Sequence, residues 1–535
     1  MGTSTTEFCE RAATPRIAPE KSFYQCVRLP AIVLAGTLYL MYSSVFLTDY
    51  LMNDEWQLIG SRSSLIQSAK EAFLFWGRGL FGIYCTLVYR FVGYDPFRVQ
   101  IVRFVNFCSL VAIALLLFLF LAKKAGNVWL SFFVILFLYS TGSLQEAMAY
   151  SLQLISNMQP AMWLSLTAFY TYFCVDERRL AKPLRLGATF LLLICAMQST
   201  QTFAFFAMVP LTYVALSDWR SQRRKVIEFI AVAVVVLIVS TLTYKVALNY
   251  LHTHGRQGYA LAEGSIDAAG QHPLEVLFHA VSPFPYWSAF EIWSYPFPLH
   301  FVPPLNGLRI GIAMCLMSAW AMLILGTIIT EARDRTTQER KEVFGKWLAV
   351  LFCLGLDAVF IVADSPLATI EHRPHMVLTF SGIAILAAAY CLQVIAERYR
   401  ALSGTLARTA GILFVVLVAM GAQAGTLRGY VDNRMQLLNF IRAEVMSKDP
   451  STYRNIIVVV PDSGPEPRGV WIGHTIQRRL HMTREGAYRY VLAETGIEPE
   501  SKTITFVTDK PQEIPQDSVV IDWQKYVAAR QKNPF

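Results

Sequence analysis

The sequence predicts an all-α polytopic membrane protein with a small C-terminal α/β soluble domain. Three observations carry this. Of 535 residues, 54% are hydrophobic and only 16% are charged, too little charge to cover the surface of a soluble chain of this length. Mean hydropathy is +0.40. Several runs continue for roughly 20 residues almost without charge, the length a helix needs to cross the hydrocarbon core. Backbone groups in lipid must be satisfied within the segment, and no alternating barrel strands are present, so these runs are read as helices.

Apolar spans are expected near 29–48, 101–122, 127–143, 158–175, 184–198, 201–217, 226–248, 306–329, 346–363, 375–395 and 409–427, about eleven crossings by the usual length criterion. Residues 1–28 form a polar, basic tail. No small-residue cleavage pattern follows the first span, which therefore reads as a retained signal-anchor. The segment 29–429 forms the membrane domain and 430–535 the soluble one. One set of connections carries Lys123 and Lys124; Arg178, Arg179, Lys182 and Arg185; Arg220, Arg223, Arg224 and Lys225; Arg333, Arg335, Arg340 and Lys341; and Arg398, Arg400 and Arg408. The opposite set, around 144–157, 198–201 and 364–372, is nearly free of Lys and Arg. By the positive-inside rule the N-terminus is cytoplasmic and the C-terminus is not. The expected setting is a bacterial inner membrane with the tail domain in the periplasm.

Two long segments fall on the outer side. Within 49–100, Leu65, Ile66, Ala69, Phe73 and Trp76 recur at helical spacing and 79–93 is strongly apolar, so both read as interfacial helices. Within 249–305, Pro283, Phe284, Pro285, Tyr286 and Trp287, then Trp293, Tyr295, Pro296, Phe297 and Pro298, forbid a long helix and suggest a cap with an aromatic belt. After the last span, 430–446 reads as an amphipathic helix. Ile456–Val460, Thr503–Val507 and Val519–Ile521 read as short buried strands.

The net charge of +9 sets topology and gives no sign of nucleic acid as a partner. The cysteines form no CxxC pair, and most of them (Cys108, Cys174, Cys195, Cys315, Cys353, Cys391) lie inside apolar runs, as small buried hydrophobes. No P-loop, HExxH, GxSxG or dinucleotide fingerprint occurs.

Polar chemistry remains at the outer edge. Asn53-Asp54-Glu55-Trp56 follows the first span, with Asp49 just before it. Paired carboxylates beside lipid are costly to desolvate and suit a general base; the bland reading is a hydrophilic helix flank. Gly77-Arg78-Gly79-Leu80-Phe81 and Asp95-Pro96-Phe97-Arg98 precede the second span. Leu144-Gln145-Glu146-Ala147-Met148-Ala149-Tyr150 precedes the fourth. This order resembles the GT-C superfamily of integral-membrane glycosyltransferases. There an acidic motif follows the first helix, a "GRPL"-like stretch precedes the second and a "TEAVAW"-like stretch lies in the second outer loop. The last is most similar to the protein O-mannosyltransferase branch, and the Asp54-Glu55 pair also resembles that of the lipid A aminoarabinose transferase. Here Gln145 replaces the Thr, and the "HP" that normally precedes it is missing.

The resemblance implies sugar transfer from a polyprenyl-phosphate donor to a glycan, lipid or protein acceptor, with membrane lipids as the other partners. Asp54, with Glu55 beside it, is the base. Glu146 holds a donor hydroxyl, supports the base or ligates a divalent metal, against the bland reading of a loop acid that ends a helix. No cofactor is otherwise implied. Arg373, in Glu371-His372-Arg373-Pro374-His375, meets the donor phosphate bidentately, with Arg78, Asp49 and His372 as further substrate-binding candidates. Its bland reading is an interfacial anchor. His372 and His375 read either as a metal pair or as interfacial polar residues.

Among intramembrane polar residues, Asp357 and Lys245 mark an ion path or, more blandly, a satisfied pair and a snorkelling Lys. Asn106 and Gln198 read as interhelical hydrogen-bond formers. The competing functions are an O-antigen-type polymerase or ligase and a transporter. A transporter calls for discontinuous helices and an inverted repeat, neither of which is evident in the sequence.

Overall fold

A computed structural model describes residues 20–48, 64–150, 152, 155, 158–175, 180–254, 272–283, 286–296, 309–333, 335–364, 377–399, 405–427, 431–460 and 485–526. In chain order the described helices are α1 (Glu20–Leu47), α2 (Leu65–Trp76), α3 (Gly79–Val92), α4 (Pro96–Ala125), α5 (Val128–Ser140), α6 (Gly142–Ala149), α7 (Gln159–Phe173) and α8 (Lys182–Ser199). They continue as α9 (Gln201–Ala204), α10 (Met208–Ser217), α11 (Trp219–Thr253), α12 (Pro273–Val281), α13 (Trp287–Glu291), α14 (Arg309–Ala332), α15 (Thr337–Asp364), α16 (Leu378–Tyr399), α17 (Thr405–Thr426), α18 (Asp432–Val445) and α19 (Glu485–Glu494). The described strands are β1 (Asn455–Val459), β2 (Thr503–Val507) and β3 (Ser518–Asp522).

The chain is a helical integral membrane protein. Seven described helices are long and apolar enough to cross a bilayer, or eight if α5 and α6, bent by 54°, count as one broken span. The shorter runs differ from the expectation in an instructive way. Residues 158–175 and 201–217 give an α7 of 15 residues and, after a break at Phe205–Ala207, an α10 of 10 residues. Met208 through Leu216 are all buried. A short apolar helix of this kind is apolar because other helices surround it, which composition alone does not separate from a lipid-facing span. The sequence gives no sign of discontinuous helices, yet both the α5–α6 bend and the α9–α10 break are present.

Local signals account for the boundaries. Asp95 caps α4 by accepting from the Phe97 amide at 2.9 Å, and Pro96 at the first helical position loses nothing by lacking an N–H. Asn127 caps α5 through the Leu130 amide at 3.0 Å, giving the tight α4–α5 connection. α2 and α3 form the helices expected in 49–100, docked on the bundle: α2 packs on α11 and α3 on α8 and α4.

The cationic connections converge on one end of the bundle. Lys124 pairs with Asp218, Lys182 and Arg224 with Glu228, and Arg220 with Glu339 and Glu342. Just inside that end, Lys346 donates to Glu331 Oε1 at 2.6 Å and to the Tyr390 hydroxyl at 2.7 Å. Tyr390 in turn donates to Glu331 Oε1, so one buried network ties α14, α15 and α16.

The C-terminal strands lie where the sequence placed them, in a parallel sheet of order β2-β1-β3. Ile456 pairs with Ile504 on one side and Val519 on the other. As the central strand, β1 is buried on both faces, which its unbroken apolar run requires. Trp523 is fully buried and donates to the Tyr488 hydroxyl at 2.8 Å.

Candidate functional site: a buried polar layer opposite the cationic end

Two of the seven positions singled out from the resemblance and the acidic motif are among the described residues. Asp49, Asp54, Glu55, His372 and Arg373, with His375, lie outside the described residues. Glu146 and Arg78 lie within them.

Glu146 does not sit in an outer loop, as expected. It lies within α6 and is 1% exposed, and every residue of that helix from Gly142 to Ala149 is buried. The cause is the bend at Thr141, whose extended backbone (φ −64°, ψ 157°) turns the chain back into the bundle. There α6 packs against α1, α5, α17 and the turn at 292–294. Contacts this close need small residues. The ring of Tyr295 covers Gly142, and Gln145 Oε1 lies against Gly425 on α17. Gln145, which replaces the family Thr, donates to the Ser140 carbonyl at 2.8 Å and so holds one of the carbonyls freed by the bend.

Arg78 is held at the junction of α2 and α3. Gly77 ends α2 in the left-handed region (φ 67°), the usual glycine C-cap. The Arg78 Nη2 donates to Gln201 Oε1 at 3.3 Å, and the Gly79 amide donates to Gln198 Oε1 at 3.0 Å. Gln198 thus bridges helices as expected. Lys245 is exposed on the outside of α11, as a snorkelling Lys should be.

The first turn of α16 joins the surroundings of these two residues. On one side Thr379 donates to the Thr202 carbonyl at 3.0 Å, next to Gln201. On the other, Trp293 Nε1 donates to Ser381 Oγ at 2.6 Å, one residue beyond the Tyr286–Phe380 ring stack (centroids 5.3 Å apart). The segment that would carry Arg373 leads into this turn in sequence. The aromatic residues of 286–296 therefore do not form a belt: Trp287, Phe290 and Tyr295 are buried and plug the bundle. Glu291 is buried with them and accepts from the Tyr295 hydroxyl at 3.5 Å.

Sequence reasoning passed over Arg103. It is fully buried, and its Nη1 donates to the Thr48 carbonyl at 2.8 Å, one residue before Asp49. The signal was available, since an Arg inside an apolar run is a functional candidate by default. Gln159 was also missed. It donates to the Asn106 carbonyl at 2.7 Å and begins a seam along α4 that continues with Trp163 to Ser109. Asn106 departs from expectation, because its fully buried side-chain amide has no hydrogen-bond partner among the described residues. No group of three or more metal-ligating side chains occurs among the described residues.

The layer thus offers a buried acid, two arginines and many hydroxyl and amide groups. Such an arrangement suits a polar, hydroxyl-rich ligand with an anionic part. The chain matches no protein-family model and no curated protein.

Proposed function

We propose that the chain is an inverting membrane glycosyltransferase that uses a polyprenyl-phosphate-linked sugar. The observation that carries this reading is the burial of Glu146 on a short helix folded into the bundle opposite its cationic end. An acidic residue inside the bundle, on a helix bent out of line with its neighbour, is a functional candidate by default. In this reading about eleven segments cross the membrane, a count that includes short helices below the usual length. The cationic end is cytoplasmic and the polar layer faces outward.

Asp54 removes the acceptor proton as the acceptor oxygen attacks the anomeric carbon. The bond from that carbon to the phosphate oxygen breaks on the opposite face, and polyprenyl phosphate departs with the electron pair. Glu146 accepts hydrogen bonds from sugar hydroxyls. Arg373 and Arg78 neutralise the departing phosphate, for which a bidentate guanidinium is suited.

The test is transfer of labelled sugar from polyprenyl phosphate in membranes with matched expression. A positioned base contributes about 10²–10⁴-fold, so Asp54→Asn should lower transfer by that order, and Glu55→Gln by less. Full transfer by both variants would remove the acidic pair from the site. The two helix breaks favour transport as a second reading. Uptake of a solute by reconstituted protein, with no sugar transfer, would establish that instead.

A further inference from the structure

Helix α12 turns its apolar side away from the protein. Within Pro273–Val281 the outward residues are Leu274, Leu277, Phe278 and Val281, between 60% and 79% exposed. Their spacing of i, i+3, i+4 and i+7 makes one continuous helical stripe. Val276, His279 and Ala280, on the opposite side, are half-buried against the molecule. Pro273 opens the helix at its first position. Glu275, with His272 beside it at 3.6 Å, supplies a polar flank.

The stripe is held in this orientation. The Tyr286 hydroxyl donates to the Ala280 carbonyl and Ser282 Oγ to the His279 carbonyl, each at 2.7 Å. The Tyr286 ring in turn stacks on Phe380 in the first turn of α16. The next helix, α13, packs on α14, where the rings of Phe290 and Trp320 meet at 5.5 Å. α14 is the least buried of the described spans, with Met322, Leu325 and Ile329 more than half exposed. The segment carrying the stripe is therefore tied to a span whose own outward surface is apolar.

We propose that α12 is an interfacial membrane helix whose stripe contacts the acyl chains of the bilayer, at the end opposite the cationic connections. Its nine residues are too few to cross the hydrocarbon core, so it rests at the boundary. The stripe has no polar side-chain atom and none of the Tyr, Trp and Arg that dominate protein interfaces. A contiguous exposed patch of this composition is matched by hydrocarbon. Neither the stripe nor its flank carries Lys or Arg, so the contact requires no anionic lipid. This surface does not depend on the glycosyltransferase reading.

Nitroxide labels on the reconstituted full chain test it in vesicles of phosphatidylcholine alone. In a background without native cysteines, the four stripe residues and Glu275 are changed to Cys one at a time. Leu242→Cys, exposed on α11, is the lipid reference, and Lys510→Cys, exposed in the tail domain, is the water reference. At the stripe, collisions with oxygen should exceed those with a water-soluble nickel complex, as at Leu242. The ratio should reverse at Glu275, as at Lys510. Nickel access along the stripe equal to that at Lys510 would place it in water and overturn the proposal. Low access to both reagents would mean that a protein covers it, with the same consequence. A second measurement leaves the chain unaltered: phosphatidylcholine with a diazirine on its acyl chain should form adducts within 273–281 of the wild type. Adducts on α11 and α14 without any on α12 would overturn the proposal.

Discussion

A Cβ placed on Gly142 would lie 2.1 Å from Cδ2 of Tyr295. The ring occupies the space that any other residue would need at the start of α6, so the helix carrying Glu146 is held in place from the 286–296 segment. The plug and the bent helix are one unit.

Gly142→Ala should therefore destabilise the protein through overpacking, by about 1–3 kcal/mol. Adding Tyr295→Ala, which removes the ring, should recover part of that loss although it deletes more buried surface. Thermal unfolding in detergent of the two single variants and the double variant provides the check. Strictly additive losses would separate the two residues.

The Lys346–Glu331 pair has side chains only 9% and 7% exposed. Breaking a buried pair from one side leaves an uncompensated charge and costs about 3–5 kcal/mol. Glu331→Met and Lys346→Met should each lower the melting temperature clearly. The double change to Glu331→Met and Lys346→Met should cost much less. A double variant as unstable as the sum of its parts would show that the charges are not coupled.

In the tail domain, burial pushes the Tyr453 phenol up to about 12, and its hydroxyl donates to the Val445 carbonyl at 2.9 Å. The unfolded phenol ionises near 10. Between these values the native state holds the proton more tightly. Its contribution to stability is complete below about pH 10 and lost as pH rises toward 12. Tyrosinate absorbance of the full chain should show a late-titrating phenol that disappears in Tyr453→Phe. Titration of every tyrosine at the ordinary position would contradict this burial.

The proposed orientation rests on where the cations gather. In a background without native cysteines, Arg335→Cys and Lys341→Cys, both exposed at the cationic end, should resist an impermeant thiol reagent in intact cells. Lys510→Cys, exposed in the tail domain, should react. Labelling of the first two without the third would invert the proposed topology.

The sequence by itself determined the solvent, the helical class, most long spans and the three tail strands. These depend on local periodicity and on the absence of charge over a fixed length, both written along the chain. It also left Gly77 and Arg78 between two helical patterns, because periodicity is a local property. Whether an apolar run faced lipid or other helices was decided only by the tertiary structure. Residues 201–217 and 127–149 are equally apolar in either setting, and only packing bends one at Thr141 and breaks the other at Phe205–Ala207. Packing likewise turned the aromatic cap inward and buried Glu146. It also buried Asp357 with no hydrogen-bond partner for its carboxyl among the described residues, since the surroundings of a buried polar group are chosen in space and leave no spacing in the sequence.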